Sequence, residues 1–429
     1  MMHIRAAVAV PPAADRTTRA ITLATALIAS AVFVSPARAD PLTFAAAIAR
    51  ARSSAPSLRA EALGADASRA ERAAAGALPD PKLSVGIDSF PISGPLAFQP
   101  SQDNFTWVRV GISQDIPNPA KRRAQRTRAD ADIAVAEASA ALEARNVEVE
   151  TAIAWITLAY ANKRLAAVDT VRGKLEHLVR TTPAAVAAGN ARPGQTLAGR
   201  QALAGLDDRR DELAAAVGRA RANLTRWTGD ADPTIAGPVP DFAVDESSLR
   251  ASIDFNPTLG PPLARIGQAA ADVRLAEAER RPDFGVEATY QHRDPRFGDY
   301  VSAGVNVSLP FFTRRRQAAL IAARQAEAGK VGAEREAARR ALEANLEAGL
   351  ADHAMHHEQW MRSRGTIEPL ARERVDLETA SYGAGRASLV DVVDAHIALV
   401  DAALTALDRE ALVEIDGARL TLTYRSATR

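Results

Sequence analysis

The chain contains the same unit twice: two segments with alternating apolar and polar residues, then a very long alanine-rich run. The alternating segments are 82–90 and 105–116 in the first copy and 283–293 and 299–312 in the second. The runs that follow them are 120–182 and 314–381. A helix of about 60 residues is on the order of 90 Å long, which is more than any single globular core can accommodate. The duplication therefore predicts an elongated α+β protein.

The two copies are expected to span residues 40–240 and 241–429. Each begins with a helix, continues with two strands and a long helix, and closes with a further helix, at 193–228 and 389–423. Pro56 and Pro257 occupy matching places in the two copies. Pro369 is predicted to kink the second long helix, because proline lacks the amide hydrogen that a helix interior needs.

The N-terminus carries the features of an export signal. Arg5, Arg16 and Arg19 precede the apolar stretch 21–34, and Ala37-Arg38-Ala39 is a cleavage site of the small-x-small type. The alternative is a membrane anchor, but the stretch is shorter than the roughly 18 apolar residues that a membrane-spanning helix requires. Residues 1–39 are therefore predicted to be a signal peptide.

Composition narrows the possible functions. The chain has no cysteine, which excludes disulfides and thiolate chemistry, and its formal net charge of +1 gives no basic surface for nucleic acid. Motifs for a nucleophile, a phosphate-binding loop or a catalytic zinc site are absent from the sequence. The sequence predicts neither an enzyme nor a bound cofactor.

The alternating segments have the pattern of strands with one apolar and one polar face. In the last of them, every second residue from Val301 to Leu309 is apolar, and the residues between are Ser302, Gly304, Asn306 and Ser308. This pattern is typical of a membrane barrel with lipid outside and water inside, although strands of a soluble sandwich share it.

The chain resembles the TolC-type outer-membrane efflux proteins over essentially all of residues 40–429. The stretches that carry the resemblance are 42–56, 113–122 (SQDIPNPAKR), 308–312 (SLPFF) and, most specifically, 382–395 (YGAGRASLVDVVDA).

The resemblance implies a homotrimer with one 12-stranded outer-membrane β-barrel, four strands per chain, continued by a long α-helical tunnel across the periplasm. The function it implies is the passive exit duct of a tripartite efflux pump in a Gram-negative bacterium. Its partners would be a periplasmic adaptor, an inner-membrane transporter and outer-membrane lipid. The trimer also follows from strand number, since about eight strands are the smallest set that closes a filled barrel. The alternative from another class is a periplasmic coiled-coil scaffold or adaptor without a pore.

Two aspartates are the main candidates for a functional site. Asp391 and Asp394 are three residues apart at the start of a helix, so their carboxylates share a face. The simpler interpretation is that Ser388 and Asp391 form a capping box. By resemblance, these aspartates line the periplasmic constriction, where threefold symmetry would make six carboxylates a cation-preferring ring.

Tyr382, Gly385 and Arg386 flank the same turn. In the resembling family the matching tyrosine and a nearby arginine link helix pairs and hold the entrance shut. Arg386 stands one position before the family's usual arginine, so the resemblance supports its role less well.

His353, His356 and His357 have a helical spacing able to present imidazoles to a metal ion, although a solvated face is the simpler interpretation. These histidines and the PNPAKR stretch favour the cation-efflux branch over drug or protein export. The basic clusters 121–123 and 314–316 follow the strands of the two copies, where they either flank the inner barrel rim or solubilise the helix starts.

Overall fold

The computed structural model describes residues 41–187 and 192–425. The signal peptide predicted for residues 1–39 lies outside them.

The order of helix, two strands, long helix and closing helix occurs twice. The helices are α1 (Phe44–Ser54), α2 (Pro56–Ala74), α3 (Pro119–Ala187), α4 (Pro193–Thr228), α5 (Glu246–Ala251), α6 (Gly260–Ala278), α7 (Gln317–Arg362), α8 (Glu368–Gly383) and α9 (Leu389–Tyr424). The strands are β1 (Lys82–Asp88), β2 (Trp107–Ile116), β3 (Asp283–His292) and β4 (Tyr300–Ser308). Short 3-10 turns at Ile253–Phe255 and Pro257–Leu259 precede α6.

The longest helix, α3, has 69 residues, which corresponds to about 100 Å. It reaches Ala187, five residues beyond the predicted boundary at 182, so Pro183 lies inside the helix rather than at its end. None of the helices in the described part of the chain is both long enough and apolar enough to cross a membrane.

The second long helix is interrupted earlier than expected. A π-helical segment, Ser363–Ile367, separates α7 from α8, and Pro369 lies in the first turn of α8. The carbonyl that Pro369 cannot bind is that of Gly365, inside this segment, so the irregularity extends upstream of the proline. Arg409 of α9 stabilises it by donating hydrogen bonds to the Ser363 hydroxyl and, at 3.2 Å, to the Gln359 carbonyl.

The four strands form one antiparallel sheet in the order β1-β2-β3-β4. β4 ends at Ser308, four residues before the predicted end at 312. Pro310 cannot donate to a strand partner, and the next residues form turns in which the amides of Arg315 and Arg316 donate to the Phe312 carbonyl at 3.1 Å.

The main core lies where the helices meet. Trp155, Ile156 and Tyr160 of α3 are almost completely buried against α1, α4 and α9. A second cluster, between α3, α4 and α9, extends toward the α8–α9 turn and includes Leu175, Leu206, Leu389 and Val393. Helix packing therefore positions that turn, and the sheet lies outside both clusters.

Candidate channel wall and entrance

The register of the sheet separates apolar from polar residues across all four strands. Val85 is opposite Val110, Val110 is opposite Tyr290, and Tyr290 is opposite Val301. Because side chains alternate along each strand, these residues lie on one face. The neighbouring row runs Ser84, Gly111, Thr289, Ser302 and lies on the other face.

The apolar face is exposed. Leu83 and Val85 of β1 are 74% and 69% exposed, and Val301 and Val305 of β4 are 80% and 69% exposed. Val108, Val110, Ile112, Phe284 and Val286 of the inner strands are also exposed. A soluble chain seldom presents so large a contiguous apolar surface, so this face needs an apolar environment or partner.

The opposite face carries charged and small residues. Arg109 of β2 lies 3.3 Å from the Asp88 carboxylate of β1. Two glycines make room for their polar neighbours: a Cβ at Gly111 would lie 2.8 Å from Ser84 Oγ, and one at Gly304 would lie 2.8 Å from Glu287 Oε1. This face is suited to contact with water.

The sheet is open at both sides. β1 and β4 are its edge strands, and in the described residues neither pairs with a second strand on its outer side. Unpaired strand edges present rows of amide and carbonyl groups that other strands can bind. An exposed apolar face and two open edges together indicate a sheet that is completed by further strands.

At the other end of the molecule, the turn between α8 and α9 brings the predicted entrance residues together. Gly385 has φ +71°, a conformation that favours glycine, and its amide donates to the Tyr382 carbonyl at 3.0 Å. Ser388 then begins α9 as its N-cap.

Asp391 forms the capping box with Ser388. The Ser388 amide donates to Asp391 Oδ2 at 2.8 Å, and the Asp391 amide donates to Ser388 Oγ at 3.3 Å. Hydrogen bonds from the Ser388 hydroxyl and amide lower the pKa of the Asp391 carboxyl, so it remains ionised at neutral pH. The capping box predicted from the sequence is therefore present. The Asp391 carboxylate is nevertheless exposed.

Asp394 is exposed one turn further along α9. Tyr382 packs its ring on the cluster that contains Leu389 and Val393. Within residues 41–187 and 192–425, the side chains of Asp394, Tyr382 and Arg386 make neither a hydrogen bond nor an ion pair. Their gate roles stay a prediction.

Polar links between helices do occur further from the turn. Arg209 of α4 pairs with Asp401 of α9, and Arg210 pairs with Asp169 of α3 at 2.8 Å. Sequence reasoning missed the first pair because its members are 192 residues apart. Complementary charges on two helical faces give no signal until the helices are known to be neighbours.

The three histidines do not converge. His356 Nδ1 lies 2.7 Å from the Asp416 carboxylate of α9, whereas the His357 ring packs edge-on against Trp360. Burial lowers the pKa of His353 and favours its neutral form. In the part of the chain that the structure describes, no group of three or more histidine, aspartate or glutamate side chains is placed to hold a metal ion. The cluster therefore adds no support for the cation-efflux branch.

Comparisons with known proteins agree with this architecture. Residues 250–423 match the family model described as outer membrane efflux protein. No curated protein matches the chain by sequence. Over residues 250–423, the family match confirms the resemblance to TolC-type efflux proteins that the sequence motifs indicated.

Solved structures match almost the whole chain. A membrane protein from Pseudomonas aeruginosa superposes with a TM-score of 0.75 at 16% identity, over 89% of this chain and 90% of that one. The CmeC outer membrane channel of Campylobacter jejuni superposes with a TM-score of 0.74 at 12% identity, over 89% and 85%. The MtrE outer membrane channel of Neisseria gonorrhoeae, in an open state, gives 0.70 at 15% identity, over 89% and 88%. At these identities the likeness establishes the fold.

Proposed function

We propose that this chain, whose residues 250–423 match the outer membrane efflux protein family, assembles as a homotrimer around one water-filled duct. The duct is a 12-stranded barrel in the outer membrane of a Gram-negative bacterium, continued by a helical tunnel in the periplasm. An inner-membrane transporter and a periplasmic adaptor would deliver the cargo, and the channel itself would be passive rather than an enzyme.

The observation that carries this proposal is the open sheet with an exposed apolar face and a polar opposite face. Four strands are too few to close around water, whereas twelve enclose an aqueous lumen. Joining β4 of one copy to β1 of the next would satisfy both open edges, and unpaired backbone groups in lipid cost several kcal/mol each. The apolar face would then contact lipid and the Arg109 face would line the lumen.

Conductance tests this function directly. The mature protein, purified from the outer membrane in detergent and added to a planar lipid bilayer, is expected to insert and give discrete single-channel steps. A periplasmic scaffold without a pore would also contain the long helices. Such a protein would be soluble without detergent and would give no conductance steps in the bilayer.

For the entrance, we infer that Asp391 and Asp394 of three chains line the periplasmic opening. The exposed Asp394 carboxylate supports this assignment because it has no partner in the described residues. Asp391 contributes charge as well, but replacing it would also remove the half of the capping box in which its carboxylate accepts from the Ser388 amide. Asp394 is therefore the residue that tests the ring without altering the fold.

We expect Asp394→Asn to weaken block of the open channel by trivalent cations added on the periplasmic side. Three fewer negative charges around one opening should raise the half-blocking concentration by roughly tenfold. Asp352→Asn is the matched control, since it makes the same charge change on an exposed residue of α7. Equal block in Asp394→Asn and the unmodified protein would exclude Asp394 from the constriction.

A further inference from the structure

The turn between β4 and α7 carries a group of basic residues that the proposed channel leaves unassigned. Arg314, Arg315 and Arg316 are consecutive and exposed, and none of their guanidinium groups makes an ion pair or hydrogen bond among the described residues. The first turn of α7 contains no acidic side chain to offset them. Three unpaired cations lie side by side at the helix-facing end of the sheet.

The equivalent cluster in the first copy is engaged. Lys121 pairs with Asp283 at 3.3 Å, Arg122 donates to the Gly76 carbonyl at 2.8 Å, and Arg123 Nε donates to the Pro119 carbonyl at 3.3 Å. These contacts stabilise the start of α3. The two clusters have matching positions in the duplication, so the absence of such contacts at 314–316 distinguishes the second cluster as a surface available to a partner.

Further exposed arginines lie at the same end of the sheet. Arg280 and Arg281 are separated from the start of β3 by one residue, Pro282, and β3 pairs with β4 so that Asp283 is opposite Ser308. A cavity of about 300 Å³ lies between the two segments and is lined by both Arg281 and Arg316. Its acidic members are Glu279 and Asp283, and Asp283 already pairs with Lys121. Glu279 is then outnumbered by Arg281 and Arg316, so the net charge of the cavity lining is positive.

Aromatic side chains adjoin the arginines. Phe311 and Phe312 are 79% and 78% exposed, and Leu309 just before them is also exposed. Leu309 continues the apolar row of β4, so the apolar face of the sheet runs directly into the aromatic and then the basic residues. This order of apolar, aromatic and cationic residues matches the change from hydrocarbon to headgroups across a membrane interface.

We propose that Leu309–Arg316, together with Arg280 and Arg281, is a binding surface for anionic phospholipid headgroups of the inner leaflet of the outer membrane. Phe311 and Phe312 would enter the interface, and the arginines would bind the phosphate oxygens. The inference rests on the proposed channel, since it needs the apolar face of the sheet to be in lipid. It adds a lipid class and the residues that recognise it.

Binding of individual lipids to the detergent-solubilised trimer tests this surface, measured by native mass spectrometry. The probes are phosphatidylglycerol and the zwitterionic phosphatidylcholine. We expect the unmodified trimer to bind phosphatidylglycerol at least tenfold more tightly. A replacement of all three arginines by glutamine should remove most of that preference, because each cation near an anionic surface contributes about 1 kcal/mol, or roughly fivefold in affinity.

Two further variants isolate the cause. Replacing the same three residues by lysine keeps the charge and should retain most of the preference. Glutamine at Lys330, Arg340 and Arg372, which are exposed and distant from the sheet in sequence, removes the same charge and should leave it unchanged.

The results separate this inference from the channel itself. Equal binding of both lipids by a conducting trimer would overturn the lipid surface and leave the channel intact, as would full preference in the Arg314–Arg316 glutamine variant. Dissociation of that variant into monomers would instead identify the arginines as a contact between chains and also overturn the lipid surface. A protein that neither forms a trimer nor conducts would refute the channel.

Discussion

Val305→Arg is expected to abolish assembly of the channel in the outer membrane. Val305 lies near the middle of β4, opposite Val286, and its side chain is on the exposed apolar face. An arginine on the lipid side of a barrel costs about 2–4 kcal/mol at the bilayer midplane, so three copies would cost roughly 6–12 kcal/mol per trimer. The trimer band on unheated gels should disappear, and the protein recovered in the outer membrane should fall sharply.

Asn306→Arg is the matched control. Asn306 is the next residue of the same strand, so its side chain lies on the polar face, where arginine would contact water in the lumen. This variant should assemble as a trimer with altered conductance. If the two variants assembled equally well, the assignment of the faces to lipid and water would be wrong.

Trp155→Ala is expected to cause the largest loss of stability among single changes in the helical core. Trp155 is 1% exposed, packs edge-on against Phe44 at 5.6 Å between ring centroids, and donates from Nε1 to the Leu42 carbonyl at 3.0 Å. Truncation of such a side chain costs about 3–5 kcal/mol, and the Leu42 carbonyl would lose its indole donor. The helical melting transition followed by circular dichroism should fall by roughly 5–10 °C.

Trp360→Ala provides the comparison. Trp360 is only partly buried on α7, where it packs against His357 and Arg364. Its truncation should lower the melting temperature by a few degrees at most. Equal losses in the two variants would show that the cluster around Trp155 is not the main source of helix stability.

The faces of the sheet could be predicted from sequence because alternation is local. Val301 to Val307 gave the apolar face of β4 directly, and the register then placed this row beside Tyr290 and Val110. The ends of elements were harder to predict. The sequence predicted that β4 continues to Phe312, since apolar residues continue past Pro310. Instead, the backbone there forms turns, in which the amides of Arg315 and Arg316 donate to the Phe312 carbonyl.

The helix interruptions show the same limit. Pro369 indicated an irregularity, but the hydrogen bonds of Arg409 that stabilise the segment Ser363–Ile367 come from another helix and could not be predicted. At the α8–α9 turn, the capping box of Ser388 and Asp391 could be predicted from spacing alone. The Arg209–Asp401 pair and the His356–Asp416 contact were not, because both depend on how separate helices pack.

Cross-linking of β4 to β1 between copies tests the trimeric barrel most directly. The natural chain contains no cysteine, so one cysteine in β1, such as Ser84→Cys, and one in β4, such as Ser302→Cys, would provide the sole thiols. Both positions lie on the polar face of the sheet. Neighbouring strands are about 4.8 Å apart, and closing a barrel staggers the register around it, so the polar-face positions of β1 are paired in turn with those of β4. A short bismaleimide should join the pair that the seam brings together, whereas β1 and β4 of one chain are three strand spacings apart.

We predict that at least one double variant, extracted from the outer membrane in detergent, gives a covalent trimer after cross-linking and that the single variants give only monomers. If every double variant remains monomeric after complete thiol modification, or if open ladders form beyond three chains, the closed barrel of three copies is contradicted.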